Sequence, residues 1–421
     1  MVSNMNPPIS INRVKLKEVA VINMGQSPAG DTYNNVGAGT PLLNGPTEFG
    51  LSHPTTSVYT TAPTKTCRKG DLLFCVRGST TGRMNWADRE YCIGRGICAI
   101  RAMSGIDDTF FVYYTIVSEL DRLLSLCAGS VFPNISVDDL ESFEISWPDK
   151  DDRTNVVAIL RTLDDRILLN SQININLEEI GKMLFKRWFV DFEFPNEEGK
   201  PHKSSGGVLV DSELGRIPRG WHIKELGELT DIVVETVMPQ ESLEASFLHY
   251  SIPAYDESER PVLNSGQEIK SMKFLIDNES VLVSKLNPEK MRIWLPFVKE
   301  NNKAICSTEF IVYKAKKGLS RVFIYFVVKT NKFSDFFSSL VTGSTGSRQR
   351  VPPKDTLSFK IAFPKEELLV WQFCKTIDPL IKMRGLNLDQ IGVLSQIRDL
   401  LLPKLMSGKI RVPVLQKAVE T

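Results

Sequence analysis

The stretch Phe-Val-Tyr-Tyr at residues 111–114 returns as Phe-Ile-Tyr-Phe at residues 323–326, about half a chain length later. Three further stretches recur in the same order: DLLFCVR (71–77) as ESVLVSK (279–285), Gly129-Ser130 as Gly343-Ser344, and FEISWP (143–148) as FKIAFP (359–364). Collinear recurrence at a nearly constant offset is typical of two copies of one structural unit. The sequence therefore predicts an internal duplication.

Each copy opens with a mixed segment, residues 12–148 in the first and 221–364 in the second. Short apolar runs predict strands at 72–77, 96–101, 280–285 and 308–313. Longer runs predict one helix in each copy, at 109–126 and 320–340. The expected fold class is α+β, with two tandem mixed α/β domains.

A long helix is predicted after each mixed segment, at 149–193 and at 365–410. Apolar residues recur there at three- and four-residue spacing, which favours the seam of a coiled coil. Polar residues interrupt both seams near their middle, at Arg166 and Asn170 and at Arg384 and Asn387. Polar residues in a seam fix register and partner, so the two helices are expected to pair with each other.

If the copies are related by a pseudo-two-fold axis, the paired helices form an antiparallel coiled coil that separates the mixed domains. Residues 194–220 are rich in Gly, Pro and Ser and are interpreted as a linker. Pro379 and Gly385 predict a kink or restart in the second helix. Ordinary core helices remain the alternative explanation of both apolar stripes.

Composition limits the function classes. The 421 residues are 42% hydrophobic and 24% charged, with a formal net charge of +1, so the chain can bury ordinary cores. A near-neutral chain is not a purely electrostatic nucleic-acid binder, because such binding depends on many basic contacts to phosphates. No apolar run is long enough to span a bilayer, and no export segment is expected at residues 1–11.

Cysteines and histidines point away from disulfides and metals. The seven cysteines are scattered without a Cys-x-x-Cys pair, and the four histidines lie far apart. No metal-ligand spacing results, and free thiols in apolar strings fit a reducing cytoplasm. We also find no Walker-type phosphate loop, no Gly-x-Ser-x-Gly elbow and no cofactor loop between a strand and a helix. A self-contained enzyme is not expected.

Two basic loops are the candidate DNA contacts. Residues 65–83 carry five cations against Asp71, and residues 341–354 carry three cations and no acid. Both place Gly-Ser-Thr beside arginines, where backbone amides and hydroxyls can hold phosphates and Arg or Gln can bind base edges. The candidate residues, with a weaker third group at 285–292, are Arg77, Ser79, Thr80, Thr81, Arg83, Lys285, Lys290, Arg292, Ser344, Thr345, Arg348, Gln349 and Arg350. Solvated turns are the alternative.

The strings LFKRWFVDFEFP (184–195) and SELGRIPRGW (212–221) resemble the central signature of type I restriction-modification specificity subunits. LLPKLMSGKIRV (401–412) is similar to the C-terminal signature of that family, and the Gly-Ser loops before 143–148 and 359–364 resemble the ends of its target-recognition domains. With the duplicated layout, the resemblance covers essentially the whole chain.

The resemblance implies that each mixed segment is a target-recognition domain that reads one half of a split, asymmetric DNA sequence, while the helices set the gap. Its implied partners are double-stranded DNA, two methyltransferase subunits and two restriction subunits. S-adenosylmethionine, ATP and Mg are expected on those partners, and no cofactor or metal on this chain. The chain itself is then a non-catalytic specificity subunit in the cytoplasm, within an assembly that methylates adenine N6 and cleaves DNA.

Five aromatic residues lie within ten positions at 185–194, and they predict a partner-binding surface built from Phe185, Trp188, Phe189 and Phe192. Packing against the chain's own domains explains them equally well. Two other functions remain open: a two-headed adaptor that binds proteins without any DNA role, and a fused methyltransferase fragment. Weak salt dependence of binding would favour the adaptor, because phosphate contacts impose a steep one.

Overall fold

A computed structural model describes residues 12–126, 134–242, 244–299, 303–342 and 349–412 of the chain. Contacts divide it into a first unit, Met1–Asn170 with Gln390–Thr421, and a second unit, Ser171–Asp389. Each unit therefore contains one of the mixed segments and a part of each long helix.

The first unit is built from short strands, four complete helices and parts of the two long helices. Its strands are β1 (Asn12–Lys15), β2 (Ala20–Met24), β3 (Tyr33–Asn34), β4 (Thr40–Leu43), β5 (Tyr59–Thr60), β6 (Thr66–Cys67), β7 (Leu72–Cys75), β8 (Met84–Trp86), β9 (Tyr91–Ile93), β10 (Ile97–Ala102) and β11 (Glu144–Trp147). Its helices are α1 (Leu16–Val19), α2 (Ile106–Ser118), α3 (Leu120–Ser125), α4 (Val137–Ser142) and the start of α5 (Lys150–Phe185).

The second unit continues α5 and adds its own strands and helices. The strands are β12 (Leu209–Val210), β13 (Ile217–Pro218), β14 (His222–Glu225), β15 (Thr230–Ile232), β16 (Thr236–Val237), β17 (Ser246–Tyr250), β18 (Val262–Ser265), β19 (Lys273–Ile276), β20 (Ser280–Ser284), β21 (Ile293–Trp294), β22 (Lys303–Ser307), β23 (Phe310–Ala315) and β24 (Lys360–Phe363). The helices are α6 (Leu226–Leu229), α7 (Ile252–Ser258), α8 (Arg321–Val328), α9 (Asn331–Ser339) and α10 (Leu368–Met406), whose last part belongs to the first unit.

The two units repeat one topology. A four-stranded sheet has the order β2-β10-β7-β8 in the first unit and β15-β23-β20-β21 in the second. The strand that opens each mixed segment pairs antiparallel with the strand that closes it, β1 with β11 and β14 with β24. Each five-stranded sheet contains one parallel pair, β4 with β9 and β17 with β22. The predicted duplication is confirmed by the strand order of the four-stranded sheets and of four strands in each five-stranded sheet, whose remaining strand, β3 or β16, lies at opposite edges.

Continuous apolar runs form the central strands. All four residues of β7 and all five of β20 are buried, as expected for strands that are covered on both faces. The predicted helices at 109–126 and 320–340 are each two helices. The first breaks at Glu119, and the second breaks before Thr330, whose side chain caps α9 by accepting a hydrogen bond from the Phe333 amide at 3.2 Å.

The long helices run antiparallel within each unit. In the first unit Asp164 of α5 contacts Arg398 of α10, and Asn170 donates a hydrogen bond to Gln390 at 3.1 Å. In the second unit Asn387 donates to Asn174 at 2.9 Å. Asn170 and Asn174 are buried, and they lie in the stretch in which the sequence places polar residues within an apolar seam. Their hydrogen bonds to the facing helix fix the register of the pairing.

The second long helix does not restart as one reading of the sequence predicted, because α10 is continuous through both Pro379 and Gly385. A Cβ at Gly385 would lie 2.7 Å from a ring carbon of Phe297, so glycine lets that aromatic ring reach the helix. Ile377 and Ile381, on either side of the proline, are buried in the core of the second unit. This tertiary packing offsets the intrinsic cost of a proline within a helix.

A buried ionic cluster joins both long helices to the second mixed domain. Glu178 of α5 forms salt bridges with Lys329, which follows α8, and with Arg384 of α10 at 3.3 Å. The three side chains are only 13%, 12% and 7% exposed. Burial alone would raise the pKa of Glu178, but the two cations outweigh it and lower the pKa to about 2.

The depressed pKa of Glu178 predicts a pH-dependent stability. A carboxyl with a lowered folded-state pKa stabilises fully above its ordinary value of 4.5, and the contribution is lost as the pH falls toward 2. We expect the free energy of unfolding of the second unit to drop by up to about 3 kcal/mol over this window. Urea unfolding at a series of pH values measures the drop, and Glu178→Gln should remove this component; an equal slope in both proteins would contradict it.

Candidate nucleic-acid interface

The loop between β7 and β8 carries the first predicted cation group. Its ends are held by backbone hydrogen bonds, from the Gly82 amide to the Cys75 carbonyl at 2.9 Å and from the Cys75 amide to the Arg83 carbonyl at 2.8 Å. Gly78 and Gly82 have φ of 83° and 93°, which favours glycine at both positions. The loop is thus a closed hairpin turn with a defined backbone.

Arg77, Ser79 and Arg83 are exposed on this loop, and Thr80 and Thr81 are half-buried. The Thr81 hydroxyl donates to the Gly78 carbonyl at 2.8 Å, so it also braces the turn. Neither arginine forms a salt bridge with any described residue of the chain. Their side chains can therefore approach an anionic ligand without first breaking an ion pair.

A neighbouring turn adds a cation that sequence reasoning missed. The Val76 amide donates to the Gly96 carbonyl at 2.9 Å, which places the exposed Arg95 on a turn beside the β7–β8 loop. Arg95 stands between Gly94 and Gly96 at the junction of β9 and β10. The sequence feature that could have indicated Arg95 is an arginine between two glycines, where two strands meet.

The second unit builds the same junction from equivalent backbone contacts. The Lys285 amide donates to the Glu309 carbonyl at 2.9 Å, and the Val351 amide donates to the Lys285 carbonyl at 3.1 Å. In the first unit the Ile135 amide donates to the Val76 carbonyl at 3.0 Å in the matching position. The structure therefore brings the β20–β21 loop together with the segment that contains Gln349 and Arg350.

Both predicted basic loops contain Gly-Ser-Thr beside arginines, and the interpretation of the two loops as matching positions in the two copies is wrong. The Gly-Ser-Thr of residues 78–80 lies in the β7–β8 loop, whose counterpart is 285–292 rather than 343–345. The segment around Arg350 instead corresponds to the one around Asn134, because each forms an isolated bridge to its hairpin loop, Arg350 with Leu286 and Asn134 with Arg77. The two basic loops are thus different loops. Ser344, Thr345 and Arg348 lie outside the described residues.

Two of the three predicted cations in the β20–β21 loop form salt bridges with Asp256 of the same unit. Arg292 is only 5% exposed, and its guanidinium donates two hydrogen bonds of 2.8 Å to Asp256. The exposed Lys290 also reaches Asp256, at 2.8 Å. Hydrogen bonds from Arg292 lower the pKa of Asp256 to about 2. Arg292 thus lies inside the fold, where it anchors the loop, whereas Lys285 is half-buried and makes no salt bridge with a described residue.

Arg350 is held in a fork-to-fork ion pair. Its Nε and Nη2 lie 3.0 Å and 3.2 Å from the two carboxylate oxygens of Glu309, which raises the pKa of Arg350. A carboxylate presents two acceptors to the guanidinium much as the O6 and N7 of guanine do. In the first unit the position equivalent to Glu309 is Gly96, so the two junctions differ in charge.

We expect Glu309→Gln to raise the affinity of the chain for duplex DNA and to reduce its sequence dependence. The neutral amide holds the Arg350 guanidinium less strongly, so phosphates compete for it more easily. Fluorescence anisotropy with a target duplex and with a scrambled duplex measures both affinities. Glu289→Gln, at an exposed residue of the β20–β21 loop without a salt bridge to a described residue, is the matched control. Unchanged affinity for the scrambled duplex in Glu309→Gln would show that the pair does not restrain Arg350.

The aromatic residues at 185–194 pack within the second unit. Phe185 and Phe189 are 2% and 3% exposed, and the ring centroid of Phe189 lies 5.1 Å from that of Phe323. Trp188 and Phe192 are only partly buried against the same core. Packing against the chain's own domain therefore holds Phe185 and Phe189 in place, and a partner-binding role stays a prediction for all four residues.

Within the described part of the chain, no group of three or more His, Cys, Asp or Glu side chains could hold a metal ion. The six described cysteines are free and buried. Across the same residues, no helix has both the length and the apolar character that crossing a membrane requires.

The chain is similar to known proteins over most of its length. Residues 8–179 match the type I restriction modification DNA specificity domain. The MjaIX type I specificity subunit of Methanocaldococcus jannaschii is 26% identical over 364 residues, which cover 82% of this chain and 79% of the relative. The HindI specificity subunit of Haemophilus influenzae is 23% identical over 413 residues, covering 82% and 88%.

Two further matches complete the comparison. The MjaX specificity subunit of M. jannaschii is 34% identical over 161 residues, although the match spans only 38% of its length. The fold is shared with the crystal structure of a type I restriction-modification S subunit from M. genitalium, with a TM-score of 0.58, 16% identity, and coverage of 96% and 98% of the two chains. The specificity domain in the first copy and the alignments across both copies together indicate a type I restriction-modification specificity subunit.

Proposed function

We propose that each mixed domain reads one half of a bipartite DNA target. One observation carries this proposal: both units form the same junction of a hairpin loop with a neighbouring turn, and both junctions present cations. The side chains at the two junctions differ, with Arg77, Arg83 and Arg95 in one and Lys285, Gln349 and Arg350 in the other. Different side chains on equivalent backbones are what two domains need to read two different half-sites.

The long helices are proposed to set the gap between the half-sites and to dock the methyltransferase subunits. At about 1.5 Å per residue, the 36 residues of α5 extend about 54 Å, longer than one turn of duplex DNA. The hydrogen-bonded amide pairs Asn170–Gln390 and Asn174–Asn387, each with one buried member, oppose a slip in register, which supports a fixed gap.

The chemistry is proposed to reside on partner subunits. Two methyltransferase subunits would carry S-adenosylmethionine and transfer methyl groups to adenine N6, and two restriction subunits would use ATP and Mg to translocate and cleave DNA. This chain would contribute recognition of the DNA sequence. Its acidic residues nearly balance its cations, for a net charge of +1, so the partners would supply much of the electrostatic binding energy.

Reconstituted methylation tests the proposal. Purified chain, its methyltransferase subunit, and the two together are incubated with S-adenosylmethionine and a library of random duplexes. We expect methylation only in the mixture, and only on duplexes that share two separated half-sites. Methylation by the partner alone on the same sequences would refute the proposal. Binding to partner that does not change with salt or DNA would instead favour a protein adaptor.

A further inference from the structure

A cavity of about 380 Å³ opens in the second unit, where the linker folds over the end of α5. We call it the linker pocket. The side chains of Phe185, Phe189, Ile217 and Phe359 form its apolar floor and are all buried. A pocket of this size with an apolar floor is of the kind that receives a ligand or an anchoring side chain.

The rim of the linker pocket is cationic. Lys203 and Arg216 come from the linker, Lys332 from α9, and Lys360 from β24. Lys360 is paired with Glu213 at 2.6 Å, but the other three are exposed and form no salt bridge with a described residue. Three cations without a salt bridge to a described residue, at the mouth of an apolar cavity, favour an occupant that combines acidic groups with an apolar group.

The backbone beside the pocket is strained. A π-helical turn over Lys186–Val190 ends α5, and Phe192 then has a φ of 61°, a rare value for a bulky residue. The Phe192 carbonyl accepts a hydrogen bond from the Lys203 amide at 3.2 Å, which ties the linker across the end of the helix. Strain and π-helical turns are concentrated at functional sites, and here both adjoin the cavity.

We propose that the linker pocket receives an acidic segment of the methyltransferase subunit, with one apolar side chain inserted onto the aromatic floor. This inference rests on the proposed function and names the contact through which the partner docks. The lining contains no histidine, cysteine or carboxylate, which suits binding rather than catalysis. The free cations belong to separate segments of the chain, which suits an extended acidic peptide better than one compact anion.

The test compares binding of the purified methyltransferase subunit to the full chain and to two variants. R216E/K332E reverses two rim charges, and K317E reverses an exposed cation outside the pocket as a matched control. We expect the double variant to bind at least tenfold more weakly and with a smaller salt dependence, and the control to bind like the wild type. Melting temperatures establish that all three proteins fold, because surface substitutions rarely alter stability strongly.

Any of the other possible results would overturn the proposal, and the results can be told apart. Equal binding by wild type and R216E/K332E removes the pocket as the contact and leaves the proposed function intact. Equal losses in K317E would show a general effect of charge. No binding of the partner to the wild type would remove the proposed function as well. If R216E/K332E loses binding of the anionic dye 8-anilinonaphthalene-1-sulfonate but keeps binding of the methyltransferase subunit, the pocket takes small amphipathic anions instead.

Discussion

Replacing Glu178 with alanine is expected to destabilise the second unit by about 3–5 kcal/mol, because it leaves the buried Lys329 without a counter-charge and leaves Arg384 with only the half-exposed Glu259, at 3.7 Å. Lys329 and Arg384 are 12% and 7% exposed, so water cannot replace the lost carboxylate without opening the core. The measurement is urea unfolding followed by fluorescence, with the midpoint shift converted through the slope of the transition.

Glu179→Ala provides the matched control for this substitution. Glu179 is adjacent on the same helix, but its side chain is 54% exposed and its salt bridge to Lys182 faces solvent. Exposed pairs contribute only about 0–1 kcal/mol, so the control should unfold almost like the wild type. Similar losses in the two variants would mean that the cluster around Glu178 does not hold the long helices to the mixed domain.

The double substitution Arg77→Ala with Arg83→Ala should abolish recognition of one half-site and leave the other unchanged. A contact from arginine to a base contributes about 1–3 kcal/mol, so two losses are expected to lower affinity for the correct half-site by roughly 10²-fold or more. Binding and methylation of duplexes with one half-site varied at a time measure the effect. In the second unit, Arg350→Ala should affect the opposite half-site.

Lys69→Ala controls for general loss of charge. Lys69 is exposed on the turn before β7, whereas the two arginines follow that strand. The control should retain discrimination at both half-sites. If the arginine variant weakens binding equally on every duplex, the two side chains contact phosphates and do not read bases.

The duplication and the central strands could be predicted because their signals are local. The buried strands at Leu72–Cys75 and Ser280–Ser284 are apolar throughout or at their three central residues, and their observed bounds lie within two residues of the predicted ends. The helix breaks at Glu119 and before Thr330 were missed because the apolar pattern continues across them. Thr330 is the kind of residue that caps a helix, so it indicated a new helix beginning at Asn331, but the apolar pattern favoured one continuous helix.

The candidate site could be predicted only in part, because its decisive contacts join residues that are far apart in sequence. Arg292 and Arg350 resemble the exposed arginines in sequence, yet each is held by an acid, Asp256 or Glu309, that lies 36 or 41 residues away. No local sequence pattern predicts an ion pair between residues so far apart. For the same reason, Arg95 was missed although it lies beside the predicted loop.

Methylome sequencing of a host that carries this chain and its methyltransferase subunit tests the central claim most directly. The account requires methylated adenines in one split motif, with two short specified halves separated by a gap of constant length, and no such methylation when this chain is absent. A continuous motif, a gap that varies freely, or the same methylation without the chain would contradict it.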